Sequence, residues 1–94
     1  MAVGDAVVNL TSVANGAYLP AQPGAGVEWF IHQWYHEDAV EFYWYDGTNN
    51  LLSGSATGAD HPPWGGRATN SIYPRIKNVS GTTKLLGFSG VVTK

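Results

Sequence analysis

The sequence contains no cysteine, which excludes disulfides and thiolate metal sites as sources of stability. A single domain of 94 residues buries only about 60–70% of the surface that its unfolded chain exposes, so its margin of stability is small. Small domains without such cross-links often complete their core with a partner subunit. We therefore expect one domain over residues 1–94 that associates with further copies of itself.

Concentrated charge and long apolar runs are also missing. Five Lys and Arg residues against seven Asp and Glu residues give a net charge of −2, without a cluster of either sign, so no nucleic-acid partner is expected. No apolar run approaches the roughly 20 residues of a membrane-spanning helix, so no membrane association is expected. The segment Met1 to Asp5 does not resemble a signal peptide, and we expect synthesis in a cytoplasm.

What the sequence does contain is typical of a β protein. Twelve Gly and five Pro divide the chain into segments too short for a stable helix. Between them lie alternating stretches rich in β-branched and aromatic residues, which predict strands. The predicted strands cover 6–13, 27–36, 39–45, 51–53, 69–78 and 84–92. Short strands joined by turns predict an all-β fold, a small antiparallel β-sandwich or jelly-roll-like domain.

Alternation within the second and third predicted strands assigns their faces. In 27–36 the residues in phase with Ile31 form the predicted core face, and the residues in phase with Trp34, which include Glu28 and two histidines, form the outer face. In 39–45 the residues in phase with Phe42 are on one face of the strand, and Tyr43 and Tyr45 are on the other face.

Proline and glycine give further local predictions. Pro74 predicts an edge strand or a bulge. Gly87 and Gly90 predict bulges or close packing.

The histidines do not form a convincing metal or catalytic site. His32 and His36 are four residues apart, which on a strand places them about 13 Å from each other, too far to share one metal ion. Asp60 and His61 could form a base with its orienting group, but no nucleophile in a suitable setting accompanies them. Surface or interface contact is the more ordinary role for each of these side chains.

Two carboxylates, Glu28 and Glu41, lie on neighbouring predicted strands and could approach each other as the pair that glycoside hydrolysis requires. Glutamate on an exposed sheet face is the more ordinary explanation. We therefore expect no enzyme activity, no catalytic residues, no metal and no cofactor.

An excess of aromatic side chains remains to be explained. If the aromatic residues on the predicted outer faces and in the long polar loop 54–67 are exposed, they exceed what a monomer normally shows to solvent. They fit a protein interface or a surface on which sugar rings stack, unless the loop simply covers them. The residues predicted for a partner or subunit interface are Trp34, His36, Tyr43, Tyr45, His61, Trp64 and Arg67.

Three stretches of the chain carry a family resemblance. They are GVEWFIH at 26–32, AVEFYWYDGTN at 39–49, and TNSIYPRIKNVSG at 69–81 followed by GFSGV at 87–91. In this order they resemble small virion proteins of tailed bacteriophages. The resemblance covers most of the chain from Gly26 onward, and the stretch His61 to Arg67 departs from the pattern. Its motifs describe strands and turns, so they specify a fold better than an activity.

Such virion proteins look like capsid decoration (cement) proteins, which sit on the shell and hold neighbouring capsomers together. The resemblance implies a β-sandwich homotrimer on the capsid surface whose partner is the major capsid protein, and it carries no catalytic residues. Residues 1–5 could reach along a neighbour as a flexible arm. The alternative is a carbohydrate-binding or receptor-binding module that uses exposed aromatics.

Overall fold

A computed structural model describes residues 2–57 and 66–94 of the chain. Within these two ranges it contains eight strands and no helix, so the predicted all-β fold class is confirmed, and no described helix could cross a membrane. The strands are β1 (Ala6–Val13), β2 (Tyr18–Pro20), β3 (Glu28–His36), β4 (Val40–Tyr45), β5 (Asn50–Ala56), β6 (Gly66–Thr69), β7 (Tyr73–Asn78) and β8 (Lys84–Val92).

The strands form two antiparallel sheets of four. Sheet I has the order β1-β8-β3-β6, and sheet II has the order β2-β7-β4-β5. The inner faces of the sheets pack together, and the ring centroids of Trp34 in β3 and Phe42 in β4 lie 5.8 Å apart. The predicted β-sandwich is therefore confirmed, with β3 and β4 in different sheets although they are consecutive in the chain.

The core lies between these inner faces and consists mainly of aliphatic and aromatic side chains from both sheets. Asn78 is a fully buried polar member of this layer. Its side-chain amide donates hydrogen bonds to the carbonyls of Val13 and Thr82, and its carbonyl accepts one from the Ser80 main chain. The Asn78-to-Gly81 stretch is thus a turn held by one buried amide, with Gly81 at a φ of +97°.

The predicted faces of β3 are right in its first half and wrong in its second. The pairing of β3 with β8 shifts by one residue between Ile31 and Gln33, which marks a β-bulge at His32. Beyond the bulge the alternation is reversed. Trp34 and His36 therefore point into the core, at 0% and 4% exposure, and the prediction that they lie on the outer face is wrong.

The strand that contains Pro74 is neither an edge strand nor bulged at that residue. β7 lies between β2 and β4 with an unbroken register. The Pro74 carbonyl accepts a hydrogen bond from the Ala21 main chain, so the proline nitrogen faces the β2 side, where strand pairing ends at Pro20. The missing N–H donor therefore leaves the pairing of β7 with β4 intact, and the prediction of an edge or bulge is wrong.

The two glycines of β8 confirm the expected close packing. A Cβ atom at Gly87 would collide with the Asn9 carbonyl oxygen of β1, and one at Gly90 would collide with the Phe30 carbonyl oxygen of β3. Only glycine lets β8, an inner strand of sheet I, approach both of its neighbours this closely. At the start of the chain, where the sequence predicts an arm, Gly4 and Asp5 hydrogen-bond to the Val92 main chain.

Candidate functional site: a tyrosine and arginine face

The predicted interface residues fall in different parts of the molecule. Trp34 and His36 lie in the core, so neither is available to a partner of the folded domain. His61 and Trp64 lie outside the described residues. The remaining three are divided between the sheets, since Tyr43 and Tyr45 belong to β4 in sheet II and Arg67 belongs to β6 in sheet I.

Tyr43 and Tyr45 are part of a larger aromatic cluster on the outer face of sheet II. Because side chains alternate along β4, burial of Val40 and Phe42 in the core turns both tyrosines outward. The same alternation in β7 turns Tyr73 outward beside Tyr45, and β2 adds a fourth ring from its first residue. We call this surface the tyrosine face and define it by Tyr18, Tyr43, Tyr45, Tyr73 and Arg75.

Arg75 is the centre of the tyrosine face. Its guanidinium carbon lies 3.9 Å from the centre of the Tyr18 ring and 3.8 Å from the centre of the Tyr45 ring. Its Nε donates a hydrogen bond to the Asn50 side-chain oxygen, over 3.3 Å. The arginine side chain is long and would otherwise be mobile. Its contacts with the two aromatic rings hold it in one conformation.

The other ring contacts of the tyrosine face are edge-to-face. Tyr18 and Tyr43 meet at 5.6 Å between centroids and 74° between planes, and Tyr45 and Tyr73 meet at 5.8 Å and 74°. The Asn50 amide also donates to the Tyr18 hydroxyl, over 3.2 Å. The cluster is therefore connected from β2 to β5 across the whole width of sheet II.

The Tyr43 hydroxyl is tied to an acid on its own strand. It donates a hydrogen bond of 2.6 Å to the Glu41 carboxylate. This hydrogen bond, followed by partial burial and the charge of Glu41, raises the pKa of Tyr43 from 10.0 to about 12. The phenol therefore remains a neutral hydrogen-bond donor throughout the physiological pH range.

One exposed apolar side chain completes this surface. Leu52 of β5 lies opposite Tyr43 in the register and is 52% exposed. Leu52, Tyr43 and Arg75 therefore lie in one row across β5, β4 and β7. Apolar, tyrosine and arginine side chains together are typical of the centre of protein interfaces.

Sequence reasoning identified two members of the tyrosine face and missed three. Tyr18 lies in a three-residue strand, β2, that carries no alternating pattern long enough to detect. Tyr73 and Arg75 show an alternation that the sequence does contain, but nothing in it assigns β7 to the position beside β4. Pairing between strands that are distant in sequence is the information that was missing.

Arg67 lies apart from the tyrosine face. It pairs with Phe30 in the register of sheet I, and its guanidinium forms an ion pair with Glu28. Lys94 reaches the same carboxylate at 3.7 Å. These residues, with Thr93, line a shallow pocket of about 310 Å³ at the end of sheet I. Since Arg67 is on the other sheet, one flat partner surface cannot contact it and the tyrosine face together.

The carboxylate pair considered for glycoside hydrolysis does not form. Glu28 lies on sheet I and Glu41 lies on the outer face of sheet II, so the core separates the two carboxylates. The expectation that they could approach each other across neighbouring strands is wrong, because β3 and β4 do not pair. Among residues 2–57 and 66–94, no three His, Asp or Glu side chains gather into a group that could hold a metal ion.

Comparison of the chain with protein-family models and with curated proteins found no match in either.

Proposed function

We propose that this chain is a structural virion protein, a capsid decoration (cement) protein that binds the major capsid protein at capsomer junctions and stabilises the shell. The observation that carries the proposal is the position of Arg75 between the rings of Tyr18 and Tyr45 on an outer sheet face. In this proposal the tyrosine face contacts the shell, and the protein acts by binding without chemical turnover.

The composition of this face supports protein binding. Tyrosine and arginine are enriched among the residues that dominate interface energies, because they offer large contact area with directed hydrogen bonds. Leu52 supplies an exposed apolar contact in the same row as Tyr43. A partner surface with an apolar patch flanked by a carboxylate would complement the leucine and the arginine.

The rigidity of the tyrosine face supports the same conclusion. Ordering a long side chain on binding costs about 0.5–1.5 kcal/mol, and this cost is reduced where the side chain is already fixed. Arg75 is held by two rings and by Asn50 before any partner arrives.

Binding of many copies would stabilise the shell, because each bound copy favours the assembled state of the capsid.

Carbohydrate binding is the alternative function, and the ring geometry favours it less. Stacking on a sugar requires an open aromatic face. Tyr18 and Tyr45 each have a ring face covered by Arg75, and Tyr18 is further packed against Tyr43. A glycan array probed with the labelled protein tests this alternative, which would be supported by saturable binding that Tyr45→Ala abolishes.

Co-sedimentation with capsids tests the main proposal. Shells assembled from the major capsid protein of the phage that encodes this chain are mixed with the purified protein and pelleted. Leu52→Glu places a carboxylate beside Tyr43 of the tyrosine face, and Leu85→Glu is the matched control because Leu85 is a comparably exposed leucine on the outer side of sheet I. Circular dichroism confirms that both variants fold.

We expect the unaltered protein to pellet with the shells, Leu52→Glu to bind about tenfold more weakly, and Leu85→Glu to bind normally. Failure of the unaltered protein to bind would refute the cement function. Equal weakening by both substitutions would refute the assignment of the contact to the tyrosine face.

A further inference from the structure

We infer that the free edge of β1 is a self-association surface, through which two copies of this chain pair across a twofold axis. β1 is the outermost strand of sheet I, and its one strand neighbour among the described residues is β8. It pairs with β8 over all eight residues without a register shift. The inference does not depend on the proposed capsid function.

This edge lacks the features that normally prevent edge-to-edge pairing. Natural edge strands are blunted by charged side chains, proline, bulges or short length. β1 is eight residues long, has the sequence AVVNLTSV, and contains none of these features. Val8 and Leu10 are 68% and 63% exposed on it, which are among the largest exposures of apolar residues in the described structure.

The other edges of the sandwich are blunted. β2 has three residues and ends in Pro20, and β6 has four residues and carries Arg67 in an ion pair with Glu28. β5 is uncharged, but a register shift beside Tyr43 interrupts its pairing with β4. A regular, uncharged edge is therefore found at β1 alone among the strands that the structure describes.

The hydrogen-bond pattern identifies which main-chain groups of β1 have no strand partner among residues 2–57 and 66–94. The Val92 main chain donates to the Asp5 carbonyl, and the Asn9 carbonyl oxygen lies against Gly87. Because ladder hydrogen bonds alternate along an antiparallel pair, the odd-numbered residues of β1 face β8. The N–H and C=O groups of the even-numbered residues, from Ala6 to Ser12, therefore point outward from the edge.

A second copy of β1 fits this edge. An antiparallel twofold pair centred on Asn9 places Val8 of one copy opposite Leu10 of the other, and Asn9 opposite Asn9. Both apolar side chains then meet on the outer side of sheet I, and no charge is opposed to a like charge because β1 has none. The pair joins two four-stranded sheets into one of eight strands.

The solution mass tests this inference. We expect light scattering over a dilution series to give twice the 10.1 kDa mass of one chain, rather than the threefold mass of the homotrimer that the family resemblance implies. Leu10→Lys should reduce the mass to that of one chain. Leu51→Lys is the matched control, because Leu51 is a similarly exposed leucine on the edge strand β5, and it should leave the dimer intact.

Disulfide trapping tests the register, and the chain has no cysteine of its own to interfere. In the proposed pair the two Asn9 Cα atoms lie about 4.5 Å apart, within disulfide range, whereas the two Thr11 Cα atoms lie about 13 Å apart. Mild oxidation should cross-link Asn9→Cys and leave Thr11→Cys uncross-linked. A monomeric or trimeric mass, or trapping of Thr11→Cys in place of Asn9→Cys, would overturn the inference.

Discussion

The Arg75 guanidinium carbon lies 3.8 Å from the centre of the Tyr45 ring, across the contact between β7 and β4. A second ring, that of Tyr18, lies against the same cation at 3.9 Å. The arginine therefore links three strands of sheet II on its outer side, and its contribution to stability can be measured apart from its role in binding.

Replacing Arg75 should destabilise the domain modestly. Each contact of a cation with a ring is worth about 0.5–1 kcal/mol near a surface, so Arg75→Ala should lower the free energy of unfolding in urea by about 1–2 kcal/mol. Arg67→Ala is the control, because an exposed ion pair contributes at most about 1 kcal/mol. A larger loss for Arg67→Ala than for Arg75→Ala would contradict the ring contacts.

A larger loss of stability is expected from replacing Trp34, because this residue is buried in the core. Because Trp34 is fully buried against Phe42 and Phe88, Trp34→Ala should lower the free energy of unfolding by about 3–5 kcal/mol. Phe30→Ala serves as the control, since Phe30 is 46% exposed on the outer side of sheet I and should cost well under half as much. A small effect of Trp34→Ala would place this ring outside the core, where the unbulged alternation of β3 puts it.

Local signals in the sequence predict where strands begin and end, but they do not predict how distant strands pair. The turn signal Asn15-Gly16 follows β1 and Ser80-Gly81 precedes β8, and the predicted ends of both strands agree with the structure. The bulge at His32 has no local signal, because it results from how β3 pairs with β8, and it reverses the side of Trp34. The tyrosine face depends in the same way on β7 lying beside β4, a contact between residues about thirty positions apart in the chain.

Close approach of strands in sheet I predicts a strict requirement for glycine. Gly90→Ala would drive a methyl group onto the Phe30 carbonyl oxygen, so the substitution should lower the melting temperature and cost about 1–3 kcal/mol. Gly24→Ala is the matched control, since a Cβ atom there meets no atom within 4 Å. Equal stability of the two variants would show that β8 can move away from β3 without loss.

The hydrogen bond between Tyr43 and Glu41 predicts an alkaline titration. The pKa of Tyr43 is raised from 10.0 to about 12, so between these values the folded chain retains a proton that the unfolded chain releases. Its contribution to stability is therefore complete below pH 10 and is lost as the pH rises towards about 12.

Tyrosinate absorbance, compared between the unaltered protein and Tyr43→Phe, isolates this one titration. Glu41→Gln should bring the pKa of Tyr43 down towards its ordinary value, because the carboxylate that accepts the hydrogen bond and repels the phenolate is gone. A Tyr43 titration in the unaltered protein already centred near 10.0 would contradict the hydrogen bond.

The tyrosines themselves allow the most direct test of the proposed binding surface. The chain has five, of which four belong to the tyrosine face and the fifth, Tyr35, lies on sheet I with its hydroxyl 3.0 Å from the Ser89 hydroxyl. Hydroxyl-radical footprinting read by mass spectrometry compares the free protein with the same protein bound to capsid shells. If the tyrosine face contacts the shell, labelling of Tyr18, Tyr43, Tyr45 and Tyr73 decreases in the bound state while that of Tyr35 is unchanged. Protection of Tyr35 with continued labelling of the other four would refute this assignment of the binding surface.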